Sequence, residues 1–171
     1  MVRALMAALH QWADAPEVAI VLIDAAGPRA FCAGGDVAQI YHEGMAGNLN
    51  FARQFWREEY MMNDAIARFA KPVVAFVHGF CMGGGVGIAC HARHRIVGES
   101  ARLAMPECGI GLVPDVGGSA LLAAAPRGLG AYLALTGARM EPATAVEAGF
   151  ADHFIPEHRW PRLLAELAMS A

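Results

Sequence analysis

The chain is short of charge, and of any one sign of it. Only 17% of its 171 residues are Asp, Glu, Lys or Arg, and the formal net charge is −3 with a pI near 6.1. Such a surface has no field to gather a polyanion, which excludes nucleic acid as an expected partner. Long hydrophobic runs are missing too. The residues are 56% hydrophobic and the mean hydropathy is +0.36, yet Pro, Gly, His or Arg interrupts every apolar stretch well before the ~20 residues a bilayer crossing needs. No membrane partner is expected. The four cysteines, Cys32, Cys81, Cys90 and Cys108, form no CxxC pair and sit among small apolar residues, so reduced and mostly buried thiols are expected. The opening MVRALMAALHQW lacks the long apolar core and cleavage site of a secretory signal, which makes the cytoplasm the default address. Neither GxGxxG nor GxxxxGK[ST] is placed to hold a nucleotide phosphate, and Ser119 lacks the GxSxG elbow of a serine hydrolase.

What remains is an apolar chain that fits one domain over residues 1–171, with enough hydrophobic surface to suggest a homo-oligomer. Val2, Leu5, Met6 and Leu9 recur at helical spacing and predict an amphipathic helix ending near Asp14 and Pro16. Val18 to Gly27 (VAIVLIDAAG) predicts a buried strand, and VVAFVHG after Lys71-Pro72 a second one. Between them, Asp36 to Ala70 is helical in pattern with a break around Gly44 to Asn48. GGGVGIACHA predicts a glycine-rich turn opening into a helix that contains His91, and HRIVGES and ARLAMPE predict short strands. Further helices are expected at Gly117 to Ala124, Gly128 to Thr136, Pro142 to Ala148 and Trp160 to Ala168. Alternating strands and helices give an α/β layered fold. The chain opens and closes on helices, so a piece of a longer protein, incomplete at both ends, is expected.

Two glycine-dense turns, in FCAGGD and GFCMGGGVG, follow predicted strands. Unhindered backbone N–H groups there could converge on one oxygen; equally, the glycines could serve only tight turns and close packing. AFCAGGD (Ala30 to Asp36), KPVVAFVHGFCMGGGVG (Lys71 to Gly87), AMPECGIGLVPDVGGS (Ala104 to Ser119) and LALTGARMEPATAVEAGFAD (Leu133 to Asp152) follow one another over most of the chain. In these four motifs the chain resembles the crotonase, or enoyl-CoA hydratase/isomerase, superfamily. The resemblance implies a crotonase-like β-β-α spiral core, an acyl-CoA substrate, and no cofactor beyond the coenzyme A that the substrate carries. It also implies that the Gly35 and Gly84 amides hold the thioester oxygen. The loop from Arg29 to Ala33 would line the CoA site, with Arg29 either pairing a phosphate or merely solvated.

Hydratases of the superfamily place water with two glutamates. Gly87 stands where the first would be; Glu107 retains the second, and Asp115 adds a carboxylate eight residues on. Together with Glu59 in FWREEYMMND, this pattern resembles the hydrolase branch, whose substrates are short 3-hydroxyacyl-CoA thioesters such as 3-hydroxyisobutyryl-CoA, from valine degradation. The resemblance implies Glu59, Gly84, Glu107 and Asp115 as substrate-contacting residues. Glu107 would attack the carbonyl or serve as base for water, and Asp115 would orient the acyl hydroxyl or pass protons. Two carboxylates in one apolar pocket should push their pKa values apart. A hydratase or isomerase of the same fold, and a non-catalytic subunit, are the alternatives. Gly87→Glu is the change expected to favour hydration, provided the carboxylate finds room. His78 and His91 have no acidic partners at metal-ligand spacing and are expected in core or surface. Tyr60, Met61 and Met62 are expected to pack in pocket or core.

Overall fold

The computed structural model describes residues 1–170. Helix α1 (Val2–Ala13) precedes β1 (Val21–Ile23) and β2 (Ala30–Cys32), then α2 (Val37–Met45) and α3 (Leu49–Ala67). Strands β3 (Val73–Val77) and β4 (Phe80–Met82) lead into α4 (Gly84–Ala89), followed by β5 (His94–Val97), β6 (Arg102–Ala104) and a 3-10 turn at Glu107–Ile110. Helices α5 (Gly118–Ala124), α6 (Leu129–Thr136) and α7 (Pro142–Glu147), strand β7 (His153–Phe154) and α8 (Trp160–Ser170) complete it.

The strands form two parallel sheets, one ordered β1-β3-β5-β7 and the other β2-β4-β6. Each winding of the chain lays one strand in each sheet, so β1 and β2, β3 and β4, and β5 and β6 are successive steps of a spiral. Val21 to Ile23 align with Val73 to Ala75, and Phe80 aligns with both Ala30 and Arg102. Every residue of β3 is buried, as expected of a parallel strand covered on both faces. Its side chains alternate: Val73, Ala75 and Val77 join the main core, while Val74 and Phe76 pack with Ile96 and Trp160 on the opposite face. Lys71 joins the start of β3 to the end of α1, its Nζ donating to the Trp12 and Ala15 carbonyls at 2.6 Å each.

The main helices lie where their patterns placed them. The expected break in Asp36 to Ala70 falls at Ala46 to Asn48, where Gly47 has φ +80° and closes a turn onto the Gly44 carbonyl. The first predicted strand is shorter than expected. More consequential are β2 and β4, which the sequence presents as glycine turns: Arg29 to Ala33, expected as a loop, is mostly strand. Three-residue strands are too short to show a period. His91 lies in the turn after α4, outside the helix expected to hold it.

The turns meet because no side chain separates them. A Cβ at Gly85 would overlap the Cys32 carbonyl, joining α4 to the end of β2. Gly85→Ala is therefore expected to lower stability by about 1–3 kcal/mol, the usual cost of overpacking, measured by urea denaturation. An unchanged midpoint would show that β2 and α4 are not in contact.

Candidate active site

The turns after β2 and β4 form the floor of the site. A Cβ at Gly34 would lie 3.2 Å from the Met82 carbonyl and 3.3 Å from the Gly84 nitrogen, and one at Gly84 would lie 3.4 Å from Gly34 Cα. Gly34 and Gly83 take φ of +95° and +51°, a region that favours glycine. The Gly83 N–H donates to the Ala104 carbonyl at 3.1 Å, pinning this turn to β6. The next amide, Gly84 at the first position of α4, has no acceptor among the described residues, and neither has Gly35. Asp36, which ends the first motif, caps α2 by accepting from the Gln39 N–H at 3.0 Å.

Ala33, Gly35 and Gly84 line one cavity of about 350 Å³ with Glu59, Glu107 and Asp115, so six of the sequence-predicted site residues come together. Phe55, Trp56, Ile40 and Leu112 supply apolar wall. The carboxylates arrive from three elements: Glu59 from α3, Glu107 from the 3-10 turn after β6, and Asp115 from the loop before α5. They fit because of glycine. A Cβ at Gly83 would lie 2.7 Å from Glu107 Oε1, and one at Gly84 would overlap Glu59 Oε1. A second cavity of about 520 Å³ shares Gly34, Gly35, Phe55, Glu59 and Gly84, and extends toward Cys32, Met62 and the Arg3–Glu58 ion pair. Arg29 lines neither cavity; it is exposed, its carbonyl accepting from Phe80 N–H.

Gly87 lies outside the carboxylate cavity. A Cβ there would come within 2.7 Å of Val116 Cβ and 2.9 Å of Asn63 Oδ1, and both neighbours are buried. The expectation that Gly87→Glu could restore a hydratase carboxylate thus fails for want of room. Asn63, one helical turn beyond Glu59, was missed by the sequence reading. Neither its Oδ1 nor its Nδ2 has a hydrogen-bond partner among the described residues, which is uncommon for a buried amide. His78 is buried against the Gly27 carbonyl, 2.8 Å away, and His91 bonds the Val116 carbonyl at 2.7 Å. Among the described residues no His, Cys, Asp and Glu group could hold a metal. Met62 is buried as expected, but Tyr60 and Met61 are largely exposed.

Loss of water dominates the electrostatics. Desolvation, reinforced by Asp115 and then Glu107, pushes the Glu59 pKa up to about 7. Desolvation likewise lifts Glu107 to about 7, with repulsion from Asp115 adding and a backbone hydrogen bond opposing. Burial raises Asp115 as well. In each case the folded chain binds its proton more tightly than the unfolded chain. Stability should therefore fall as pH rises from about 4.5, the ordinary glutamate value, through about 7. Glu59→Gln removes one of these charges and should stabilise the chain above pH 7 by on the order of 2 kcal/mol, with little effect in mild acid. Unfolding measured across pH checks this; equal effects on both sides of pH 7 would contradict the buried-charge account.

Known proteins share much of the sequence and the overall fold. A family profile described as "Enoyl-CoA hydratase/isomerase" matches residues 1–171. The chain is 44% identical over 167 residues to "3-hydroxyisobutyryl-CoA hydrolase, mitochondrial" of Xenopus tropicalis, covering 98% of this chain and 43% of that protein. It is 41% identical to the Homo sapiens protein of the same name, with the same coverage. The chain thus spans less than half the length of these relatives. Among solved structures, an enoyl-CoA hydratase from Rhodobacter sphaeroides 2.4.1 superposes with a TM-score of 0.97 at 59% identity, covering 99% of this chain and 50% of that one. A carnitinyl-CoA dehydratase from Mycobacterium thermoresistibile gives 0.94 at 43% identity, covering 98% and 49%. The expected crotonase-like α/β fold is the one observed, and the chain belongs to the enoyl-CoA hydratase/isomerase family.

Proposed function

We propose that this chain carries the catalytic core of a hydrolase that cleaves short 3-hydroxyacyl-CoA thioesters, with 3-hydroxyisobutyryl-CoA as the leading substrate and valine degradation as its setting. The carrying observation is the placement of carboxylates: Glu59, Glu107 and Asp115 border the glycine turns, and Gly87 has no room for the glutamate that a hydratase uses alongside the one retained as Glu107. The names of the vertebrate relatives support the same substrate.

In this proposal the substrate carbonyl oxygen accepts from the Gly35 and Gly84 amides, which would stabilise the oxyanion as the carbonyl is attacked. Glu107 attacks the carbon directly, giving a mixed anhydride that water then hydrolyses, or removes a proton from an attacking water. Either route breaks the C–S bond, and the departing sulfur takes up a proton. Glu59 and Glu107, both titrating near 7, would allow one donor and one acceptor to coexist at neutral pH. Asp115 would orient the acyl hydroxyl or relay protons, and Glu59 would also contact substrate. No cofactor beyond the substrate's coenzyme A is proposed, and the partner is a second copy of the chain. The proposed address is the cytoplasm, in contrast to the mitochondria in the relatives' name. A membrane-spanning role gains no support, since no described helix is long and apolar enough to cross a bilayer.

Hydration is the second reading, favoured by the name of the Rhodobacter enzyme. A panel of acyl-CoAs separates the two. Free thiol from 3-hydroxyisobutyryl-CoA, with steady crotonyl-CoA absorbance, is the expected result; reversible loss of that absorbance without thiol release would replace hydrolysis by hydration. Glu107→Gln should lower turnover by ~10² or more while acyl-CoA still binds. Asp115→Asn should cost more on 3-hydroxyacyl than on plain acyl substrates if Asp115 orients the hydroxyl. Equal losses would reassign it to proton transfer.

A further inference from the structure

Asp115 sits on a loop with little to hold it on the side that precedes it. Gly109 to Val113 are exposed, and the backbone ties there are local, from the Gly109 N–H to the Pro106 carbonyl, the Gly111 N–H to the Cys108 carbonyl and the Leu112 N–H to the Glu107 carbonyl. The anchoring lies on the other side. Val116 is fully buried and has φ +47°, a conformation that β-branched residues rarely adopt. Its Cβ occupies the space a Cβ at Gly87 would need, with the Asn63 carboxamide beside it. Its carbonyl accepts from His91 Nε2 at 2.7 Å. A Cβ at Gly117 would lie 2.7 Å from the His91 ring, so a glycine there, at φ +78°, lets the imidazole approach. From α3, Tyr60 meets the Val116 backbone.

We propose that Gly87 and His91 are positioning residues for Asp115: the missing side chain at 87 is the socket that receives Val116, and His91 clamps the Val116 carbonyl, so that the Asp115 carboxylate is held at the cavity. The carboxylate lost at 87 and the one gained at 115 are then a single structural exchange. A side chain at 87 would expel Val116 and carry Asp115 out with it. The catalytic consequence of this placement rests on the hydrolase reading; the placement itself does not.

The test follows the Glu59 and Glu107 carboxyl groups by carbon-detected NMR titration, because Asp115 is a like charge that raises both. Desolvation remains the larger cause, so displacement of Asp115 should lower the two midpoints only partway. His91→Ala and Gly87→Ala are expected to shift them in the same direction as Asp115→Asn. His91→Gln keeps a donor at similar reach and should restore the parent midpoints, as should Val116→Gly added to Gly87→Ala, which removes the Val116 Cβ that the new methyl group would meet. In thiol-release assays His91→Ala should lower kcat by ~10-fold or more, with KM within ~3-fold of the parent. Parent-like midpoints in a folded His91→Ala chain would overturn the proposal, and that variant adds no atom, so it decides the matter even if Gly87→Ala fails to fold. A parent that released no thiol from any acyl-CoA would overturn the hydrolase reading and leave the midpoints to judge the positioning.

Discussion

The site depends on how closely the turn after β2 approaches the turn after β4. Gly34 lies against the backbone at Gly84, where a methyl group would come to 3.3 Å, and Gly85 lies against the Cys32 carbonyl, which a methyl group would overlap. This contact locks two neighbouring strands of the smaller sheet to α4, and it leaves two backbone amides without acceptors among the described residues at the edge of one cavity. Such donors are held by the fold before any ligand arrives, so little reorganisation would be needed when negative charge develops on an oxygen placed between them. Glycine is thus needed less for flexibility than for the removal of bulk.

The same absence of bulk admits the carboxylates. Glu59 and Glu107 press against Gly84 and Gly83, and both are almost fully buried. Burying a carboxylate without a cation is unfavourable in its ionised form, and the response is a pKa raised toward neutrality. A stability cost at alkaline pH and a capacity for proton transfer near pH 7 are therefore two consequences of one arrangement. Asp115, on a more open loop, completes it and keeps the other two from ionising together with ease.

Much of this was legible in the chain. Hydrophobic periodicity located the long helices and β3, and the ordered glycine and carboxylate motifs indicated the family and the residues that meet at the cavity. The strands β2 and β4 were hidden because three residues show no alternation and their glycines suggest turns. Asn63 was hidden for a different reason. Glu59, Met62, Asn63 and Ile66 share one buried face of α3, yet a polar residue in the charged run REEYMMND looks like a solvated one. The pairing of Gly87 with Val116 is long-range, and no local spacing encodes it. Arg29 stands next to a site strand in sequence, is exposed and lines neither cavity, as a solvated arginine would be.

The central claim is that one thioester oxygen is held by the Gly35 and Gly84 amides with Glu107 beside the carbonyl carbon. The most direct measurement is a crystal structure of the chain with a 3-hydroxyacyl-CoA analogue in which a methylene replaces the sulfur, so that the carbonyl is kept and cannot be cleaved. The account predicts a carbonyl oxygen about 3 Å from both amide nitrogens, with the Glu107 carboxylate facing the carbonyl carbon. A carbonyl oxygen bound away from either glycine amide, with Glu107 turned from the carbon, would contradict it.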